Sequence, residues 1–297
     1  MAITEIRPAA LDSAGLGSSR GRIWKSLRSN PLGLTGGIML ALVILAALLA
    51  PLIAPYDPAQ VHFNTPFQRP GTVGFLLGTD DLGRDIFSRL VFGIRASLIV
   101  GVLSVLLSVL VGAPLGLLAG YWKWLDVIIS RLTDVTLAFP FLIIAVGLVA
   151  ISGPSLGNAA VALGIAHIPA MIRVVRGETL RIKESDFVLA AKTMDASGGR
   201  IIFRHVLPNT ASALIVQATV IMPVAVIGEA LLSFLGLGIQ PPSPSLGIML
   251  SDAQQYIFRS PTAAIIPGIG IAVICLAFNL FGDALRDALD PSTSSRK

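Results

Sequence analysis

The sequence predicts an all-α integral membrane protein with six transmembrane helices, and three observations carry that reading. Of its 297 residues 54% are hydrophobic and only 13% charged, about half the ~25% charged content of soluble domains, and the mean hydropathy is +0.80. The apolar residues gather into uncharged runs that reach the ~20 residues a helix needs to cross a bilayer core. Between those runs lie short segments rich in Gly, Pro, Asp and Arg. The same composition excludes other classes. The single cysteine, Cys275, sits in an apolar run, so neither a disulfide framework nor a paired-thiol metal site exists. The net charge of +5 comes without an aromatic-interleaved basic patch and belongs to the loops, not to nucleic acid.

Residues 1–29 hold Ser, Gly and Arg without helical periodicity and predict a disordered cytoplasmic tail, ending in a basic amphipathic piece around Trp24. They predict no cleavable signal. Residues 31–56 are uncharged and form span one. In 57–95, Thr79 is placed to cap a helix with Asp80 and Asp81 in its first turn, and Ile86, Phe87 and Leu90 give that helix an apolar side. An extracytoplasmic interfacial helix is expected there, its Asp and Arg forming a solvated, self-paired face. Span two covers 96–121, and Tyr121, Trp122 and Trp124 mark a membrane interface.

The apolar run 127–172 is cut by the turn formers of 152–158 and gives spans three and four, with Arg131 and Asp134 expected to pair at i and i+3. Span five covers 208–237, with a kink at Pro223 and one charge, Glu229. An intramembrane carboxylate is a pathway candidate by default, set against a bond to a neighbouring helix or the external loop. The Pro- and Gly-rich stretch 238–260 predicts an external loop with a short re-entrant piece, and span six covers 261–282. The N-terminal tail carries five Lys or Arg and segment 173–207 seven, against none in 152–158 and Arg259 alone in 238–260. The positive-inside rule therefore predicts both termini inside. Four arginines in 57–95 run against it.

Segment 184–199 is too short and too charged to cross a bilayer and predicts a surface helix. Ser185 is expected as its cap, Asp186 suits the positive end, and Gly198–Gly199 supply a stop. Phe187, Ala190, Ala191 and Met194 share one face, apolar and partly small. A second segment, 200–207, ends at Pro208, which cannot continue a helix without losing a hydrogen bond.

These residues resemble the "A-A-x-x-x-G-A-S … I-x-x-x-H-x-L-P-N" signature of membrane permeases of binding-protein-dependent ABC importers, in particular the C-type permease of dipeptide and oligopeptide systems. Ala190, Ala191, Ala196, Ser197, Ile201, His205, Leu207, Pro208 and Asn209 match; Leu189 replaces a glutamate and Asp195 the usual glycine. Further matches are the stretch 77–90, Arg131, Asp134, Phe139 and Pro140, the run 229–238, and 279–291 with Asn279 and Asp283. The resemblance implies the ABC importer permease fold over 30–291, with short tails at 1–29 and 292–297 and a cytoplasmic coupling helix in loop 173–207. It further implies ATPase coupling through Phe187, Ala190, Ala191, Met194, Asp195, Ala196 and Ser197, and support from Ile201, His205, Pro208, Asn209, Asn279 and Asp283. The implied partners are a homologous second permease, two cytoplasmic ATPases that hold ATP and Mg, an extracytoplasmic peptide-binding protein and membrane lipid.

Several chemistries are missing from the sequence. No glycine-rich phosphate cradle followed by Lys-Ser or Lys-Thr occurs, so the chain is not expected to hydrolyse ATP. His62, His167 and His205 are too scattered for a metal site, and no cofactor or catalytic residue is expected. His205 reads as an interfacial residue paired with a loop carboxylate. The substrate class implied is di- or oligopeptide, with nickel chelates, glutathione and sugars carried by near relatives. The rival from another class is an ion-coupled carrier, which calls for paired broken helices in two repeated halves; no such repeat is evident.

Overall fold

Backbone polar groups in lipid are satisfied only within helices or closed barrels, and helices carry every span in the residues described by this computed structural model, 30–289. The tails expected at 1–29 and 292–297 lie outside that range. Helix α1 (Pro31–Leu48) opens with Asn30 accepting from the amides of Leu32 and Gly33, and a short α2 (Ala50–Ile53) ends the first span. Helix α3 (Ile86–Tyr121) is capped by Asp85 and extends well past the expected second span. The separate interfacial helix expected at 79–90 does not form. Thr79 caps nothing: its hydroxyl donates to the Thr65 carbonyl and accepts from the Gln68 amide. Residues 86–90 are instead the first turns of α3, and the preceding segment is a string of turns with two isolated bridges.

The third span is broken. Helices α4 (Lys123–Leu137) and α5 (Phe141–Ser152) meet at 88° across Ala138–Pro140. Asp134 pairs with Arg173 at 3.2 Å, not with Arg131 as expected, and Arg176 clamps Asp126 through two bonds. Both bonds tie α4 to α6 (Leu156–Lys183), which is capped by Ser155 and carries its helix beyond the apolar run. Among the described residues five helices are long and apolar enough to cross a membrane alone, and up to six crossings result when the bent pair counts as one.

The most extensive helix pair is α3 with α6. Gly112, Gly116 and Gly120 form a small-residue stripe against Met171, Val175 and Thr179, where an added Cβ would meet side chains at 2.8, 2.7 and 2.5 Å. Such stripes let helix backbones approach closely where lipid removes the hydrophobic drive. The last spans are α9 (Leu207–Phe234) and α11 (Thr262–Leu289), with the short α10 (Leu246–Gln254) between them on the side opposite loop 184–206. Gly36 of α1 abuts Leu280 and Phe281 of α11, so the two ends of the described chain lie together on the side of that loop.

Candidate docking site on the charged loop

Lys183 ends α6, and its ammonium donates to the Tyr121 carbonyl at 2.7 Å, fastening the loop's stem to the end of α3. Helix α7 (Asp186–Thr193) follows. Ser185 does not cap it through its side chain; its hydroxyl donates to the Ile182 carbonyl at 2.5 Å, which closes α6. Its backbone carbonyl serves α7, accepting from Val188 and Leu189 at 3.0 Å each.

The expected stop at Gly198–Gly199 is misplaced by three residues. Asp195 takes the left-handed conformation at φ +57°, its amide bonds the Lys192 carbonyl at 3.0 Å, and the Ala196 amide reaches back to Ala191 at 3.1 Å. This paired closure is the usual left-handed helix end. Asp holds the position where the resemblance led us to expect glycine, and short polar side chains tolerate that conformation best after glycine. The two glycines begin α8 (Gly198–Ile201), with Gly198 against the Tyr121 ring, where a Cβ would stand 3.1 Å from a ring carbon.

Pro208 does not close the second segment either. The chain runs from α8 through a π-helical turn (Ile202–Val206) directly into α9. The Leu207 amide bonds Ile202 five residues back, and Asn209 Nδ2 donates to the His205 carbonyl at 2.6 Å. Pro208 has no amide to return to the Arg204 carbonyl four residues before it. A π-turn beside proline at the second helical position thus makes a continuous rod from loop to span.

One residue anchors α7. Val188, fully buried, joins Ile182, Ile201, Ile202 and Val206 in a cluster that continues through Val175 and Met171 to Leu117. With Val188 turned in, the expected face turns out: Phe187 is 46% and Met194 83% exposed, Ala190 is exposed, and Ala191 is half-buried. Ala196 packs against the cluster, while Asp195 and Ser197 are exposed at the end of the knob. His205 lies 6.4 Å from the Phe187 ring, and among the described residues no carboxylate pairs with it. Asn279 and Asp283 are exposed on α11 and make no hydrogen bond to 184–209 among the described residues, so the predicted link to the loop is absent.

Glu229, the intramembrane carboxylate, is enclosed by its own chain. It is fully buried and accepts from Ser97 at 2.6 Å and Ser233 at 2.8 Å, with Ser245 a third partner. Ser233 also accepts from the Ile239 amide, and Ser245 caps α10. The carboxylate therefore joins α3, α9 and the loop that follows α9. Sequence reasoning missed Val188, Lys183 and the glycine stripe. Only the stripe had a legible signal, its G-x-x-x-G-x-x-x-G spacing.

A polytopic helical membrane protein with a pre-formed, apolar-faced knob between two spans is the class these observations define. The description "binding-protein-dependent transport system inner membrane component" matches residues 112–295, and "N-terminal TM domain of oligopeptide transport permease C" matches 18–70. The chain belongs to this family of transport-system membrane components. It is 44% identical to the dipeptide transport system permease protein of Alkalihalophilus pseudofirmus, over 92% of this chain and 90% of that one. It is 42% identical to a di/tripeptide transport system permease of Pseudomonas aeruginosa over 96% of both chains. It is also 42% identical to a glutathione transport system permease of Pectobacterium atrosepticum, over 92% and 91%. The fold resembles a chain of the MetNI methionine ABC transporter in inward-facing form, with TM-score 0.58 and 21% identity over 68% of this chain and 96% of that one.

Proposed function

We propose that this chain is one half of the membrane pathway of an ATP-driven importer of short peptides, paired with a homologous permease. In this reading helix α7 lies in the cytoplasm and seats in a groove of an ATPase subunit, which holds ATP and Mg; a second ATPase serves the sister permease. An extracytoplasmic binding protein delivers peptide on the opposite side. The observation that carries the reading is the outward face of Phe187, Ala190 and Met194 on a helix whose other side is sunk, through Val188, into the core of the spans. A push on that face reaches α3 through Lys183 and Tyr121, and α9 through the π-turn. The substrate class is supported by relatives named for dipeptides, di/tripeptides and glutathione, all short peptides in the chemical sense.

The test is Ala190→Arg, because Ala190 is exposed and tolerates a larger side chain in the isolated subunit, whereas Ala191 is half-buried. The variant is expected to insert in the membrane and pair with the sister permease, yet to lose its ATPase on affinity purification. Normal ATPase recovery would overturn the docking role. Purified wild-type complex that moves no dipeptide in vesicles would overturn the substrate class.

A further inference from the structure

Glu229 and His167, two of the polar side chains buried inside the spans, have opposite outcomes. Glu229 is saturated by serine hydroxyls. His167, only 6% exposed on α6, is not. Its Nδ1 lies 2.6 Å from the Leu163 carbonyl, which can only accept, so Nδ1 carries the hydrogen and Nε2 presents a bare lone pair. That Nε2 has no partner among the described residues. Buried polar atoms are nearly always paired, and an exception calls for a reason.

The position supplies one. His167 follows the start of α6 by eleven residues, or about 17 Å at 1.5 Å per residue, close to the middle of a ~30 Å hydrocarbon core. Its ring stands 5.2 Å from that of Phe141, in the first turn of α5 just after the 88° elbow. Gly228 of α9 admits the Phe141 ring, since a Cβ there would lie 3.3 Å from it. The unpaired acceptor thus sits where three spans meet, beside a ring carried by the broken span of α4 and α5.

We propose that His167 is a substrate contact of the pathway: Nε2 accepts a hydrogen bond from an N–H donor of the passing peptide, and Phe141 covers it in the state seen here. This rests on the import reading. A neutral acceptor at mid-depth suits amide and ammonium donors and holds no peptide tightly, which transit requires.

The experiment uses the whole complex, with sister permease, ATPases and binding protein, reconstituted in vesicles and supplied with a dipeptide. His167→Leu keeps the bulk and removes the acceptor; peptide taken up per ATP hydrolysed is expected to fall about tenfold. His167→Gln restores an acceptor and is expected to recover most of the loss, which a purely packing role would not allow. Independently, His167→Cys in a Cys275→Ser chain is expected to react with a water-soluble thiol reagent in one nucleotide state and to be protected in the other. Equal uptake by His167→Leu overturns the inference, as does protection of the cysteine in both states, which would mean that the sister permease covers it. Failure of the wild-type complex to take up dipeptide overturns the import reading, and this inference with it, before any variant is made.

Discussion

The segments 57–85 and 246–260 on one side of the spans and the loop 184–206 on the other are both charged, yet they are built in opposite ways. In the first pair of segments the charges at Asp80, Arg84, Arg89 and Asp252 are consumed internally. Asp80 and Arg89, nearly fully buried, pair directly; Arg84 bonds Asp80 at 2.7 Å and Asp252 at 3.0 Å, and Arg89 reaches Asp252 at 3.1 Å. This replaces the solvated face expected from the sequence by a buried network that bolts the loop to α10. Phe67, at φ +56°, packs on Tyr256 with Arg259 over its ring at 4.3 Å. In the loop 184–206, Val188 is the one buried residue of α7, and the loop's other buried side chains, Ile201, Ile202 and Val206, belong to its junction with α9; the rest of α7 presents its side chains outward. A segment that satisfies its own charges is a platform; a helix such as α7, held by its backbone ends and one valine, is half of an interface.

Four substitutions break or sharpen that contrast. The largest effect is expected from Arg89→Met, which breaks the buried Asp80–Arg89 pair and leaves Arg84 as the cation on Asp80 and Asp252. Such losses cost about 3–5 kcal/mol, read as a lower thermal midpoint of the purified protein with ATPase binding intact at low temperature. Val188→Asp removes the burial of one valine, up to ~3 kcal/mol, and is expected to speed hydrogen exchange across 184–206 while 57–85 stays protected. Equal exchange in both regions would dissolve the comparison. Asp195→Gly relieves a left-handed non-glycine residue and is expected to slow exchange at the end of α7 by severalfold, in keeping with about 1 kcal/mol.

The smallest effect concerns Asp81. Burial, and then the neighbouring Asp80 carboxylate, hold its pKa above the ordinary aspartate value, with Arg84 opposing. The folded state therefore binds that proton more tightly than the unfolded chain, and ionisation of Asp81 reduces stability as pH rises from the ordinary aspartate range through the raised value. Asp81→Asn should be slightly more stable than wild type at neutral pH. The advantage should vanish in acid, as thermal midpoints measured across pH would show.

The legible part of this protein was the part dictated by solvent. Uncharged runs had to be helices, so the spans at 31–53, 207–234 and 262–289 lie close to their expected places. Charged stretches were harder to read. Arg89 and Arg95 concealed the true start of α3, and Arg173–Lys183 the true end of α6, because a charge excludes a segment from lipid and not from a helix. At the docking site the apolar face of α7 was readable from its spacing. Its anchor was not, since Val188 and Leu189 are equally apolar neighbours and nothing local says which turns inward.

The sequence by itself determined that the chain crosses a membrane in helices, where its loops fall, and that one of them carries a small apolar-faced helix. Transfer free energy and 3.6-residue periodicity act residue by residue, so they are written in composition and spacing. Only the tertiary structure decided that Asp195 ends that helix, that Asp134 pairs across to Arg173, and that Glu229 is sealed by serines while His167 keeps a free lone pair. Those outcomes depend on which distant groups arrive at the same point, and helix packing sets that arrival.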